Sequence, residues 1–218
     1  AIMTTDTKPK VAYSEIKLGD KKIRIAGVAK GSGMIAPNLA TMFSFIFTDA
    51  DISSAVLNKY LNKVLSNTFN AITVDSDTST NDMVAIFATR KTKNKKLNII
   101  SSKEALKFEK ALGTVCHDLS KQIVVDGEGA KKFITVKIIN SETVERAKNI
   151  AFSIANSPLI KTAVAGEDPN WGRILMGIGK SGEKIDPKKI IIKLGEFIVA
   201  ENGKISDSYD EEKLQEYM

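Results

Sequence analysis

Lys30-Gly31-Ser32-Gly33-Met34-Ile35-Ala36-Pro37-Asn38-Leu39-Ala40-Thr41-Met42 is the stretch on which the reading of this chain turns. It has the form of a self-cleavage site, with Thr41 becoming an N-terminal nucleophile once the bond after Ala40 is cut. Thr41 also opens Met42-Phe43-Ser44-Phe45-Ile46-Phe47, a run apolar enough for a strand buried on both faces. A nucleophile at the start of such a strand is held rigidly. Two other readings compete for the loop. It could cradle a phosphate, but a P-loop needs Gly-x-x-x-x-Gly-Lys-Ser/Thr opening a helix, and the order here is wrong. The plain reading gives Gly31 and Gly33 positive φ in a turn and leaves Lys30 solvated.

A threonine hydroxyl attacks a carbonyl only when a base removes its proton. The one histidine, His117, lies among Leu112, Val115, Cys116 and Leu119, the spacing of a helix's buried stripe, so it reads as a helix-side residue and argues against a Ser-His-Asp arrangement. A second route uses the nucleophile's own α-amine, whose reference pKa of about 7.7 to 8.0 leaves an appreciable free-base fraction near neutral pH. That route requires cleavage just before Thr41.

Composition sets the surroundings. A chain of 218 residues can bury about 70% of its unfolded surface, enough for one sizeable domain or two small ones. Cys116 is the only cysteine, which excludes an intrachain disulfide and a cysteine-cluster metal site and fits a reducing cytoplasm. No long apolar run or signal-peptide pattern occurs, so neither membrane insertion nor export is expected. The net charge of +6 comes from dispersed lysines with only Arg24, Arg90, Arg146 and Arg173, a solvated surface and not a nucleic-acid footprint.

Outward from the glycine loop, strand and helix signals alternate. Val11–Leu18 and Lys22–Lys30 flank the turn Gly19-Asp20 as a β-hairpin. Asp51 caps a helix carrying Val56, Leu57, Tyr60, Leu61, Val64 and Leu65 on one face, and Ala71 to Asp75 turns extended again. Ser101-x-x-Glu104 opens a second helix burying Leu106, Leu112, Val115 and Leu119 and ending by Gln122, where Ile123-Val124-Val125 starts a strand. Phe133 to Ile139 reads as a strand, Ser141 and Glu142 as caps of a helix reaching Ala155, and Ser157-Pro158 as a fresh helix start. Ile190–Leu194 and Phe197–Val199 are short strands, Asn202-Gly203 a turn, and Glu211–Met218 a helix. Gly182 to Lys189 is the best subdomain boundary.

Three polar loops remain. In Ile72 to Asp82, Asp75 and Asp77 have the Asp-x-Asp form of a Mg²⁺-dependent phosphohydrolase, Asp75 as nucleophile and Asp77 as acid; the plainer reading is a loop whose side chains satisfy its own backbone. In Asp126-Gly127-Glu128-Gly129 the glycines let backbone approach a ligand, and Glu128 could hold a substrate ammonium. Gly166 to Arg173 reads as a loop-to-helix junction anchored by Trp171.

Together, Thr4-Thr5-Asp6-Thr7, Lys30 through Met42, Val74 to Asp82, Asp126 to Gly129 and Gly166 to Arg173 resemble, in order and spacing, ornithine acetyltransferase, the glutamate N-acetyltransferase of arginine biosynthesis. The resemblance implies autocatalytic cleavage between Ala40 and Thr41, and a ping-pong reaction in which Thr41 takes the acetyl group from N-acetylornithine and passes it to glutamate, with acetyl-CoA a further donor in some members. It assigns Thr41 as nucleophile and Thr4, Lys30, Thr41 and Glu128 to substrate binding, with no metal or other cofactor. Lys30 suits a carboxylate, Glu128 an ammonium, and Thr4 the polar backbone of an amino acid. It divides the chain into the end of an α segment (1–40), the catalytic start of a β segment (41–185) and the start of a C-terminal subdomain (186–218). The implied fold is α+β, layered sheets sandwiched by helices as in N-terminal-nucleophile aminopeptidases, and the implied assembly two α and two β segments in the cytoplasm. Both ends look truncated against the family, the absent front carrying a Thr-Gly oxyanion pair, so the chain alone is expected to be inactive or a non-catalytic fragment.

Overall fold

Strand β1 (Lys10–Leu18) turns at Gly19, φ +62°, into the antiparallel β2 (Lys21–Lys30), as the alternating pattern predicts. The computed structural model describes residues 2–36, 42–77 and 81–218. β3 (Phe43–Thr48) pairs antiparallel with β2, and β4 (Met83–Ala88) parallel with β3, giving a mixed sheet in the order β1-β2-β3-β4. Helices α1 (Ser54–Leu65) and α2 (Lys103–Val125) complete this first unit, which runs Ala1–Ala130.

Ile23, Ile25, Gly27 and Ala29 line one face of β2, and a Cβ at Gly27 would lie 2.7 Å from Leu119 Cδ1, so α2 rests directly on that backbone. Val56, Leu57, Tyr60 and Val64 of α1 join the same core with Phe108, Leu112, Val115 and Leu119 of α2. The opposite sheet face carries Val11, Tyr13, Phe47 and Phe87 exposed, the two phenylalanines stacked at 5.3 Å. β3 is therefore not buried on both faces. Ser44, Ile46 and Thr48 point into the core, while Phe47 is 48% exposed.

The second unit, Lys131–Met218, has its own core. Helices α3 (Val144–Ala155), α4 (Pro158–Ala165) and α5 (Trp171–Gly179) accompany an antiparallel sheet of β5 (Ile191–Leu194), β6 (Phe197–Glu201) and β7 (Lys204–Ile205), with α6 (Glu211–Tyr217) last. Ser157-Pro158 opens α4 as expected, and Trp171 packs on the core.

Several boundaries differ from the sequence reading. Ser53, not Asp51, caps α1 by accepting the Val56 N–H, and Ser102, not Ser101, caps α2. Thr143 caps α3 in place of Ser141. α2 continues through Ile123-Val124-Val125, because Ile123 extends the buried stripe of Leu119 by one turn and packing overrides β-branched propensity. Leu106 falls on the solvent side of that helix. Phe69–Ala71 is a 3₁₀ turn, and neither Ala71–Asp75 nor Phe133–Ile139 belongs to a hydrogen-bonded strand. In the latter, Val136 and Ile138 still face the second core, so the period marks a face without a ladder.

Candidate functional site

The glycine loop leaves β2 at Lys30 and is held from three sides. Gly31 takes φ +143°, and its N–H donates to Asp6 Oδ1 at 2.6 Å. The Glu128 N–H donates to the Ser32 carbonyl at 2.8 Å, and the Ser32 and Thr5 hydroxyls share a 2.8 Å hydrogen bond. On the third side Asp75 accepts the N–H groups of Met34 (2.5 Å) and Ile35 (3.0 Å), while the Val74 N–H donates to the Ile35 carbonyl.

This arrangement gathers Thr4, Lys30 and Glu128 around one loop. Lys30 is 5% exposed, and its ammonium donates to Thr4 Oγ1 at 2.9 Å, so the solvated reading of this lysine is overturned. An ammonium has three donors, and Thr4 uses one. Glu128 is exposed and lies against Gly33, where a Cβ would stand 2.6 Å from Glu128 Oε2. Gly33 does not take the positive φ expected of it; Met34 does, at +57°. The glycine is required for close approach, not for backbone conformation. Gly127 has the same role at the other side, since a Cβ there would meet the Val124 carbonyl oxygen and Val74 Cγ1 at 3.0 Å.

Thr41 and Ala40 lie outside the described residues. The chain directly after Thr41 is fixed by β4. Met42 N–H donates to Asp82 Oδ1 at 2.7 Å, and Met83 N–H donates to the Met42 carbonyl at 3.1 Å. Burial pushes the Asp82 carboxyl above its ordinary value, against the opposing Met42 hydrogen bond. Its Oδ2 is buried with no partner among the described residues.

Behind the loop, burial would raise the Asp6 and Asp126 carboxyls, but Lys10 and nearby backbone N–H groups outweigh it. Asp6 falls below the ordinary carboxylate value and Asp126 falls to about 2. Sequence reasoning does not reach Asp82, Asp6 or Lys10 as site residues, and neither of its readings of Gly33, a phosphate cradle or a positive-φ turn, finds the close approach to Glu128.

Asp75 and Asp77 take the plainer reading. Both Asp75 oxygens are turned onto backbone N–H groups, Asp77's included, whereas an attacking carboxylate needs an oxygen facing open space. Among the described residues no group of three ligating side chains gathers. His117 sits on the exposed side of α2, off the buried stripe, and Cys116 is buried with its thiol pushed up to about 12 by desolvation. Among the described residues no helix is long and apolar enough to cross a membrane.

Comparison with known proteins agrees with the motifs. The chain is 51% identical to the arginine biosynthesis bifunctional protein ArgJ of Mesorhizobium japonicum and 48% to that of Brucella suis, over its full length and 54% of each relative. It thus spans about half the length of the curated relatives it matches. The crystal structure of the same-named protein from Bacillus halodurans superposes with a TM-score of 0.76 at 39% identity, covering 79% of this chain and 80% of that one. With the ArgJ family model matching residues 1–218, this chain belongs to the ArgJ family.

Proposed function

We propose that this chain carries the nucleophile and amino-acid pocket of an N-acetyltransferase that moves an acetyl group from N-acetylornithine to glutamate. The observation that carries the reading is the convergence of Thr4, Lys30 and Glu128 on the loop that leads to Thr41. Cleavage after Ala40 frees the Thr41 α-amine, which takes the hydroxyl proton as Oγ attacks the acetyl carbonyl. The C–N bond of N-acetylornithine breaks, ornithine leaves with that proton, and Thr41 holds the acetyl group as an ester. The glutamate ammonium gives one proton to the Thr41 α-amine, which passes it to water; the free amine then attacks the ester, a second proton goes from it to the threonine oxygen, and N-acetylglutamate departs. Lys30 pairs with the substrate carboxylate and Glu128 with its ammonium. Acetyl-CoA is an alternative donor.

The division into 1–40, 41–185 and 186–218, the assembly of two α and two β segments, and a cytoplasmic setting belong to the same reading. So does the layered fold, since Val11, Tyr13, Phe47 and Phe87 leave one sheet face open to a further layer.

Intact mass after incubation with N-acetylornithine tests the proposal, on this polypeptide and on a version extended by the segments its longer relatives carry. A piece starting at Thr41 with one added acetyl group, absent in Thr41→Ala, supports it. Acetyl transfer that survives Thr41→Ala, or an uncut, unacetylated chain in both forms, refutes it.

A further inference from the structure

The pocket rests on a buried ionic cluster that the transfer steps do not use. Lys10 is the first residue of β1, and its ammonium lies 2.6 Å from Asp6 Oδ1 and 2.6 Å from Asp126 Oδ2. The three side chains are 1%, 0% and 6% exposed, in the order lysine, Asp6, Asp126. Burying charge costs more than such pairs usually return, and a fold built for stability alone does as well with apolar groups of similar size. The remaining acceptors are nevertheless used. Asp6 also takes the N–H groups of Gly31 and Thr4, and Asp126 takes the Thr7 N–H, the Thr7 hydroxyl and the Lys8 N–H.

What the cluster joins is informative. Asp6 is two residues from Thr4, and it binds the amide directly after Lys30. Asp126 is two residues before Glu128, and Lys10 reaches it across 116 positions of sequence. The ammonium therefore bridges the carboxylate-binding side of the pocket to its ammonium-binding side.

We propose that Lys10 is a positioning residue, which by bridging Asp6 and Asp126 fixes the spacing between the Lys30–Thr4 pair and Glu128, so that the pocket meets both charges of a zwitterionic amino acid at once. The proposal rests on the reading of Thr4, Lys30 and Glu128 as substrate-binding. Its geometry is stable at neutral pH, since both carboxylates are held ionised.

Asp126→Asn tests it, because this variant breaks the bridge on the Glu128 side while leaving Asp6 and Lys10 as a neutral pair. The readouts are hydrogen exchange at the Glu128 amide and calorimetric affinity for glutamate, with cooperative unfolding as the control. We expect unfolding to stay cooperative, exchange to quicken and affinity to fall, each by about tenfold, the value of one charge-assisted hydrogen bond. If the variant does not fold, Lys10→Met combined with Asp126→Asn leaves Asp6 on its two backbone N–H groups and is read the same way. Exchange within about twofold of wild type overturns the bridge, and faster exchange with unchanged affinity overturns its role in the pocket. Absence of glutamate binding by the wild type would sink the substrate reading instead, with exchange still deciding the bridge.

Discussion

Gly33→Ala is the sharpest probe of the proposed pocket, because its cost falls on one carboxylate oxygen, that of Glu128. The Gly33 backbone lies outside the left-handed region, so alanine adopts it without strain. The nearest atoms to the new Cβ all belong to Glu128: Oε2 at 2.6 Å, then Cβ and Cδ at 3.8 Å. Only the carboxylate end must move, and an exposed glutamate can move it. Restoring ordinary contact takes a retreat of roughly 1 Å. The stability change should be small, since the unfolded-state gain of about 0.4 to 1 kcal/mol for Gly→Ala offsets a rotamer cost of about 0.5 to 1.5 kcal/mol. Function should not be spared. Loss of a charge-assisted hydrogen bond to the substrate ammonium is worth about 1.5 to 3 kcal/mol, or roughly ten- to a hundredfold in affinity. Denaturant melts and calorimetric titration with ornithine separate the two effects. In a double-mutant cycle with Glu128→Ala the losses should not add, because both substitutions remove the same contact. A melt lowered by several kcal/mol, wild-type ornithine affinity, or full additivity would each refute the reasoning.

The buried carboxylates predict a pH dependence with a definite sign. The folded values of Asp6 and Asp126 are depressed, so their stabilisation is complete above the unfolded carboxylate value of about 4 and is lost as pH falls through the folded values, the one for Asp126 being about 2. Melting midpoints should drop through that window, less steeply in Asp126→Asn; equal slopes would contradict the assignment. Asp82 has the opposite sign. Its folded value is raised, so ionisation is penalised in the fold and stability from this group grows as pH falls through that value. Asp82→Asn, which keeps an acceptor for the Met42 N–H, should melt no lower than wild type at neutral pH, whereas Asp82→Ala should cost about 1 to 3 kcal/mol and slow cleavage at Thr41. Gly27→Ala drives a Cβ to 2.7 Å from Leu119 and 3.2 Å from Val115, and should lower stability by about 1 to 3 kcal/mol in a urea titration.

The elements most legible in the sequence were those whose signal is local. The β1–β2 hairpin, the apolar face of α1 and the Ser157-Pro158 start of α4 each depend on residues a few positions apart. The misread elements depend on partners far along the chain. Ile123-Val124-Val125 has strand propensity, and only its place over the sheet keeps it helical. Phe133–Ile139 has strand period, yet a ladder needs a neighbour that no local pattern supplies. Phe43, Phe45 and Phe47 looked doubly buried because an apolar run does not say how many faces are covered.

The site divides along the same line. Motif order singles out Thr4, Lys30 and Glu128, but not the contacts that gather them around one loop, because those contacts span 26 positions at Thr4–Lys30 and 116 at Lys10–Asp126. A signal for the buried cluster was nonetheless present. In β1, the inward register of Ala12, Ser14, Ile16 and Leu18 extends back to Lys10. In α2, the buried stripe of Val115, Leu119 and Ile123 extends forward by three residues to Asp126. Each charge therefore stands on an apolar register at the end of its element, where a solvated reading requires the chain to turn away. A lone charge there is frayed or solvated in most proteins. Opposite charges on two such registers, one in a strand and the other in the helix packed on that strand's sheet, have desolvation costs that mutual contact can offset. Registers continued past element ends and matched by sign place Lys10 against Asp126 from sequence alone.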